Sequence, residues 1–452
     1  MDLDKIKKIH FIGIGGIGVS AIARMFLDKG VEVSGSDAEE SQITKELEEK
    51  GARIFCEHNA DNLADDTDLV VYTVAIDKDN PEFLKAKDLG IEMRTYSQML
   101  GIISEGYYTV AVSGTHGKTT TTAMIAKVAV DAELDPTVIV GSLLKDSGSN
   151  LIIGNNSFSS RSHLSLLRSA RNDLLPKPLF IVEACEYKRS FLDLNPNILV
   201  ITNIEEDHLD YYKDLADIQS AFRKLVEKLG ENDFVVCNPN DPKVAPVLKD
   251  AKCKIIDYLC GRPTSTLELK VAGEYNMQNA KAAFAVAEIL KVEENKILKA
   301  LAGFEGVWRR FEYKGEMENG AQVYDDYAHH PTEIRAVLKA TREKFPSQRI
   351  ITVFMPHLYS RTKLLFGDIA KSFSNTDKVL LTPIYAAREK NDPSINSEIL
   401  ANEINKNGLN AQAFESFDEI KQYLRDNTQK DDIILTMGAG DVYKIGENLI
   451  KD

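Results

Sequence analysis

Two glycine-rich turns, each between an apolar run and a helical pattern, constrain the fold of this chain more than any other feature. The first is GIGGIG (residues 13–18), and the second is GTHGKT (residues 114–119). Strand, turn and helix in this order form the repeating unit of a parallel α/β sheet with right-handed crossovers. Further apolar runs predict more buried strands: VEVSGSD, DLVVYTVAI, LFIVEAC, NILVITNI, DFVVCN, RIITVFMP, KVLLTPIY and DIILTMGAGD. We therefore expect an α/β protein.

The length of 452 residues exceeds a single ordinary core. Boundaries near Gly106 and Val307 divide the chain into three predicted domains, 1–106, 107–307 and 308–452. The first carries GIGGIG, the second carries the GTHGKT turn on a parallel sheet, and the third again alternates strands with helices.

The composition restricts the partners and the compartment. A formal net charge of −14 argues against nucleic acid and anionic membranes, which select clustered Lys and Arg. No apolar run reaches bilayer length, and the N-terminus does not fit a secretory signal. The five cysteines show no CxxC pairing, which indicates reduced thiols. We expect a cytoplasmic protein, a monomer or a weak homodimer.

The first turn is a candidate anion site. Its glycines, including Gly15 and Gly16, let the backbone approach a diphosphate at a helix N-terminus. Ser36 and Asp37 end the next predicted strand, where a dinucleotide-binding fold places a ribose-binding acid. Two other interpretations stay open at this point: a nicotinamide cofactor, or glycines that only form a tight turn.

The second turn predicts a nucleoside triphosphate site. Its backbone N–H groups would surround phosphates, Lys118 would neutralise terminal phosphate charge, and the Thr119 hydroxyl would hold Mg²⁺. The turn is shorter than the usual phosphate loop, because Val112 stands where the leading glycine is expected. The predicted ATP-binding residues are Gly114, Thr115, His116, Gly117, Lys118, Thr119 and Thr120.

Carboxylates and imidazoles follow two central strands of the second domain. Glu183 and Glu186 end one strand, and Asp207-His208 follows another. Parallel strand ends meet at one sheet edge, so these groups are candidate metal partners. Zinc is the competing interpretation, although no pair has zinc-site spacing. Magnesium prefers oxygen, so chemistry alone does not predict a direct His208–Mg²⁺ bond.

Taken together, these residues resemble the Mur ligase family nearly end to end. GIGGIGVSAIA and VVYTVAI with DNPE are similar to its uridine-nucleotide domain, and GTHGKTTTTAM to its ATP loop. SFLDLNPNILVITNIEEDHLDYY, GEYNMQNA, GVWRRFE, DDYAHHPTEI, FMPHLYSRTK and GAGD follow in the family's order. DDYAHHPTE with PHLYSRT is most similar to the L-alanine-adding members.

The resemblance implies a Rossmann-like UDP-sugar domain, a central phosphate-loop ATPase domain and a Rossmann-like C-terminal domain for the amino acid. It implies that the carboxylate of UDP-N-acetylmuramic acid attacks the γ-phosphate of ATP. The amine of L-alanine then attacks the acyl-phosphate and releases phosphate. ATP and Mg²⁺ are the implied cofactors.

The resemblance also implies roles for individual residues. Lys118, His208, Arg310 and His329 would be catalytic, and Thr119, Glu183 and His208 would bind metal. Asn276, Asn279 and Arg309 would join the ATP site. Gly15, Gly16, Ser36 and Asp37 would bind the UDP-sugar, and Tyr327, His330, His357 and Arg361 would frame the alanine site together with Asp325.

Two departures and one insertion accompany the resemblance. Cys185 stands within EACEY where relatives have EADES, and Leu358 replaces an arginine of PHRYSRT. The nearest alternative is the murein-peptide ligase, which adds a tripeptide to the same UDP-sugar. A dehydrogenase and a regulatory ATPase are the alternatives from other classes. Residues 155–178 look like an insertion, either a mobile surface loop or a cationic flap.

Overall fold

A computed structural model describes residues 1–145, 147–155, 175–261, 267–387 and 389–451. Most of the predicted insertion, residues 156–174, lies outside the described residues. The chain divides into two compact units. The first comprises Met1–Glu206, Asp214–Ser265 and Lys281–Leu301, and the second comprises Asp207–Lys213, Thr266–Ala280 and Ala302–Asp452.

The strands described by the structure form three sheets, of five, seven and six strands. The strands are β1 (Lys8–Ile12), β2 (Glu32–Ser36), β3 (Arg53–Phe55), β4 (Leu69–Tyr72), β5 (Glu92–Thr95), β6 (Tyr108–Ser113), β7 (Thr137–Ile139), β8 (Leu151–Ile152), β9 (Leu179–Glu183), β10 (Ile198–Ile201), β11 (Phe234–Cys237), β12 (Lys254–Asp257), β13 (Glu312–Glu316), β14 (Gln322–Asp326), β15 (Ile350–Phe354), β16 (Lys378–Leu381), β17 (Ala411–Ala413) and β18 (Ile433–Met437).

The helices begin and end as follows: α1 (Ile17–Asp28), α2 (Gln42–Glu49), α3 (Pro81–Asp88), α4 (Tyr96–Glu105), α5 (Lys118–Asp131), α6 (Leu215–Val226), α7 (Glu274–Ile289), α8 (Glu294–Ala302), α9 (Pro331–Lys344), α10 (Tyr359–Leu364), α11 (Phe366–Ala370), α12 (Ser397–Lys406), α13 (Phe417–Asn427) and α14 (Tyr443–Leu449).

The first unit holds two of the sheets. One has the order β3-β2-β1-β4-β5 with every neighbouring pair parallel. The other has the order β12-β11-β10-β6-β9-β7-β8, and only its β7–β8 pair is antiparallel among the described strands. Parallel ladders place all strand C-termini at one edge, and both glycine turns therefore lie at such edges.

The second unit is built on the sheet β13-β14-β18-β15-β16-β17. Its β13–β14 pair is antiparallel, and the other pairs are parallel. The central strands β15 and β18 are buried along their whole length, as expected for strands that are covered on both faces. Apolar clusters lie on both sides of this sheet, one around Phe354 and one around Ile434.

The structure confirms the α/β class with parallel-rich sheets, and each strand predicted from an apolar run is present. The boundaries at Gly106 and Val307 stay predictions. Among the described residues, no helix combines the length and the apolar character that a membrane span requires.

Candidate functional site

The second glycine turn connects β6 to α5 in the form that the sequence predicts. Gly117 adopts a left-handed conformation (φ 81°) directly before the helix begins at Lys118. Gly114 has φ 131°, and a Cβ at this position would lie 2.0 Å from Thr202 Oγ1. Only glycine fits there without moving the neighbouring strand end, which explains why the turn needs this residue.

Asn203, just after β10, holds this turn from the side. Its backbone carbonyl accepts the Thr115 N–H at 3.1 Å, and its Oδ1 accepts the His116 N–H at 2.9 Å. Its Nδ2 donates to the His116 carbonyl at 3.1 Å. The sequence analysis did not select Asn203, although it lies within the TNIEEDH motif. Hydrogen bonds within the protein therefore fix the conformation of the turn.

Lys118 is anchored inside the turn. Its Nζ donates to the carbonyl oxygens of Gly114 (2.5 Å) and Thr115 (2.9 Å) and lies 3.0 Å from the Glu186 carboxylate. Burial alone would lower the pKa of Lys118, but the charge of Glu186 more than compensates, and the pKa is raised. The pairing with Glu186 thus favours the charged form of Lys118 within the turn.

Thr119 and Glu183 are adjacent, as a shared metal site requires. The Thr119 hydroxyl donates to Glu183 Oε1 at 3.1 Å, and the Gly141 N–H donates to Glu183 Oε2 at 2.8 Å. A hydroxyl and a carboxylate are oxygen ligands of the kind that Mg²⁺ prefers, so this pair fits the predicted ion. Thr120 is buried on the same helix.

His208 belongs to the second unit. Its backbone is left-handed (φ 54°), and its N–H donates to Asp207 Oδ1 at 2.7 Å. Asp207 also accepts a bond from Arg361 Nη2 at 2.6 Å. Burial would raise the pKa of Asp207, but His208 and Arg361 hold it well below its usual range. The predicted metal contact of His208 stays a prediction.

Two of the predicted alanine-site residues, Tyr327 and His357, form a ring cluster with His329 in the second unit. The His329 ring lies 5.6 Å from Tyr327 and 5.7 Å from His357 between centroids. Arg361 Nη1 lies 3.3 Å from His357 Nδ1. Burial lowers the pKa of His329 to about 4. The cluster thus presents neutral His329 near the charged pair of Arg361 and Asp207.

His330 has a different environment from His329. It is the N-cap of α9, where its Nδ1 accepts the Thr332 N–H at 3.3 Å and its own N–H donates to Glu333. His330 therefore stabilises the N-terminus of α9. The predicted contact of His330 with the substrate stays a prediction.

The adjacent arginines Arg309 and Arg310 also differ. Arg309 is 3% exposed and donates to Asp325 Oδ2 (2.8 Å) and to the carbonyl oxygens of Gly440 (2.8 Å) and Gly438 (2.6 Å). These bonds use three of the five N–H donors of Arg309, and its predicted ATP contact stays a prediction. Arg310 lies over the Tyr327 ring at 5.3 Å, beside the ring cluster.

Two asparagines lie near the start of α7. Asn276 Nδ2 donates to the Ala272 carbonyl at 2.7 Å, and Asn279 Nδ2 lies 3.3 Å from Asn276 Oδ1. Both are buried. Their predicted place in the ATP site stays a prediction.

The first glycine turn, between β1 and α1, is closed by an acid. The Gly15 N–H donates to Asp37 Oδ2 at 2.8 Å. The Ser36 carbonyl accepts the N–H groups of Gly13 and Ile14, and the Ser36 hydroxyl is fully buried. Gly16 is the N-cap of α1. Gly15, Gly16, Ser36 and Asp37 therefore lie together at one sheet edge, as the sequence predicts.

Comparisons with known proteins agree with this arrangement. Three family models match in order: the Mur ligase family catalytic domain at residues 8–108, the middle domain at 112–264 and the glutamate ligase domain at 309–440. The chain is 42% identical to the UDP-N-acetylmuramate–L-alanine ligase of Clostridium kluyveri, covering 99% of this chain and 98% of that protein.

Solved structures show the same likeness. A UDP-N-acetylmuramate-alanine ligase from Thermotoga maritima superposes with a TM-score of 0.79 at 29% identity, covering 98% of each chain. A murein peptide ligase from Psychrobacter arcticus superposes with a TM-score of 0.72 at 23% identity, again covering 98% of each chain. At that identity the second likeness concerns the fold alone.

Proposed function

The chain belongs to the Mur ligase family of ATP-dependent ligases, and from this premise we propose that it joins L-alanine to UDP-N-acetylmuramic acid. The observation that carries the proposal is the 42% identity to an L-alanine ligase over essentially the whole chain. The anchored Lys118 beside Thr119 and Glu183 supplies the matching ATP chemistry.

The first chemical step is phosphoryl transfer. An oxygen of the muramyl carboxylate attacks the γ-phosphorus of ATP, the bond to the β,γ-bridging oxygen breaks, and ADP leaves. Lys118 would hold the terminal phosphate, and Thr119 with Glu183 would hold Mg²⁺. Bound Mg²⁺ would neutralise charge on the phosphate oxygens. The turn braced by Asn203 would orient the phosphates without reorganising.

The second step forms the amide. The alanine amine attacks the acyl carbon, phosphate leaves, and the nitrogen loses a proton. We assign the amino acid to the ring cluster of Tyr327, His329 and His357. A neutral His329 does not repel the incoming amino group, and its ring nitrogen can accept a hydrogen bond from it. Arg310, over Tyr327, would attract the developing anion of the tetrahedral intermediate.

The UDP-sugar is assigned to the edge of the first sheet at Gly15, Gly16 and Asp37. Asp37 would accept hydrogen bonds from the nucleoside rather than contact the diphosphate, because two anions repel. His208 would act at a second metal or at the substrate carboxylate.

The domain boundaries, compartment and assembly complete the proposal. We assign domains 1–106, 107–307 and 308–452, a cytoplasmic location, and a monomer or weak homodimer. A net charge of −14 supports the absence of nucleic acid and of anionic membranes from its partners.

Phosphate release with a panel of acceptors tests the proposal. Release should require both UDP-N-acetylmuramic acid and L-alanine, and omission of either should return the rate to background. A regulatory ATPase would need neither substrate. Preference for the tripeptide L-alanyl-γ-D-glutamyl-meso-diaminopimelate over L-alanine would establish the murein-peptide alternative instead. Glycine and L-serine in the same panel measure the strictness of the amino-acid site.

A further inference from the structure

A buried carboxylate lies beneath the edge assigned to the UDP-sugar. Glu82, in the first turn of α3, is fully buried and belongs to the DNPE motif. A fully buried carboxylate needs several donors to offset its lost hydration, so its partners define what it holds in place.

Four donors from three parts of the chain surround Glu82. Oε2 accepts from the Ser36 hydroxyl (2.5 Å) and from His10 Nε2 (3.2 Å). Oε1 accepts from Asn62 Nδ2 (2.7 Å) and from the Asn59 N–H (3.2 Å). One side chain therefore ties β1, the end of β2 and the segment after β3 to the start of α3.

The charge state of Glu82 fixes the direction of these bonds. Burial would raise the pKa of Glu82, but the bonds from His10, Ser36 and Asn62 outweigh it and the pKa is lowered. An ionised carboxylate only accepts, so the Ser36 hydroxyl must be the donor of its hydrogen bond to Glu82.

The same bond fixes the tautomer of His58. Its Nδ1 lies 2.9 Å from Ser36 Oγ, and the only hydrogen on this oxygen is already used in the bond to Glu82. His58 must therefore donate from Nδ1, and whenever the ring carries one proton, Nε2 is its acceptor nitrogen. His58 is the partly exposed end of this series of hydrogen bonds from Glu82 through Ser36, with 28% of its side chain accessible.

We propose that Glu82 is a positioning residue for the UDP-sugar, acting through Ser36 and His58. It fixes the Ser36–Asp37 segment against the first glycine turn, and it orients the His58 ring to accept a hydrogen bond from the nucleotide-sugar. This inference rests on the assignment of the UDP-sugar to the first sheet. It also gives Ser36 a different task from the direct substrate contact that the sequence predicts.

Asp68 provides a matched control at the opposite edge of the same sheet. Its carboxylate accepts the N–H groups of Lys7 (2.8 Å) and Lys8 (2.9 Å) at the start of β1. Asp68→Asn therefore weakens a carboxylate contact of the same sheet without touching the substrate edge.

The experiment compares Glu82→Gln, His58→Ala and Asp68→Asn in steady-state kinetics. Glu82→Gln should raise the KM for UDP-N-acetylmuramic acid about tenfold while kcat and the KM for ATP change less than about threefold. His58→Ala should raise the same KM. The added effect of His58→Ala should be smaller in the Glu82→Gln background than in the unaltered protein, because the two residues act through the same hydrogen bonds. Asp68→Asn should leave this KM unchanged.

Several outcomes would overturn the proposal. An unchanged KM in both Glu82→Gln and His58→Ala, with only a lower Tm, would make the network purely structural. Equal changes in Asp68→Asn would show a general effect of destabilisation. If Glu82→Gln does not fold, the KM of His58→Ala for the UDP-sugar tests the proposal alone, since His58 is partly exposed and its replacement leaves the buried carboxylate in place. Absence of UDP-sugar-dependent turnover in the unaltered protein would instead refute the proposed function.

Discussion

The two glycine turns of the first unit occupy similar positions, but the charged side chain bonded to the turn backbone has the opposite sign in each. Each follows a buried strand and precedes a helix, at the C-terminal edge of a parallel sheet. At the first turn, the Gly15 N–H is bonded to the negative carboxylate of Asp37. At the second, backbone N–H groups are bonded to neutral oxygens of Asn203, and the charged group bonded to the turn carbonyls is the Lys118 ammonium, which also pairs with Glu186.

This difference shows what glycine spacing can and cannot predict. Glycines determine which backbone conformations are open, so both patterns predict a tight turn near a helix N-terminus. The charge of the site comes from other residues, which are Asp37 on the neighbouring strand and Lys118 at the start of the helix. A lysine ammonium bonded to the turn attracts ATP phosphates, whereas an aspartate carboxylate bonded to the turn attracts the hydrogen-bond donors of a nucleoside.

The largest expected effect is the loss of the positive charge at the second turn. Lys118→Ala should reduce ligation on the order of 10³-fold or more, because the ammonium balances charge that develops on the phosphates. Lys127→Ala is the matched control, since this lysine lies on the same helix and pairs with Asp131. Initial rates of phosphate release measure both. Near-normal turnover in Lys118→Ala would show that ATP does not bind at the second turn.

Glu183→Ala should have the next largest effect. The change removes the carboxylate beside Thr119, so we expect a rate loss of roughly 10²- to 10³-fold and a higher Mg²⁺ concentration for half-maximal rate. Glu183→Asp should recover part of the rate at high Mg²⁺. Titration of Mg²⁺ at saturating ATP gives both values, and circular dichroism confirms the fold. An unaltered Mg²⁺ dependence would place the metal elsewhere.

The negative first turn should discriminate between nucleotides. UDP-N-acetylmuramic acid at about 100 times its Kd should stabilise the native state by about 2.7 kcal/mol, and NAD at the same concentration should not. Thermal unfolding without ATP measures this. Stabilisation by NAD alone would restore the dinucleotide interpretation of the turn.

The sequence predicts the centre of each sheet better than its edges. Strands such as β9 and β10 are continuous apolar runs, because both faces of a central parallel strand are covered. The outer strands β3, β5 and β12 are short and partly exposed, so their composition resembles that of loops. Local pattern is too weak there to reveal a strand.

The candidate site likewise has parts that a local sequence pattern predicts and parts that it does not. The position of Lys118 and Thr119 at the start of the helix is predictable because they lie within one short motif. The support from Asn203 was not, since its bond to His116 joins residues 87 positions apart. The network at Glu82 likewise gathers residues whose motifs are separate in the chain, although DNPE itself is visible. Tertiary contact decides these roles, and one sequence does not contain that information directly.

The smallest expected effect concerns the space at the first turn. A Cβ on Gly15 would lie 2.9 Å from Asp37 Oδ2 and 3.1 Å from Thr44 Cγ2, so Gly15→Ala must displace the acid. We expect the KM for the UDP-sugar to rise about tenfold or less, with kcat nearly unchanged, because one hydrogen bond and a small shift are at stake. Gly367→Ala is the matched control: a Cβ there meets no described atom within 4 Å, and alanine favours the helix. Steady-state kinetics on both variants measure the difference. An equal KM in the two variants would show that Asp37 and its turn do not contact the UDP-sugar, and that the opposite charges of the two turns serve something other than ligand choice.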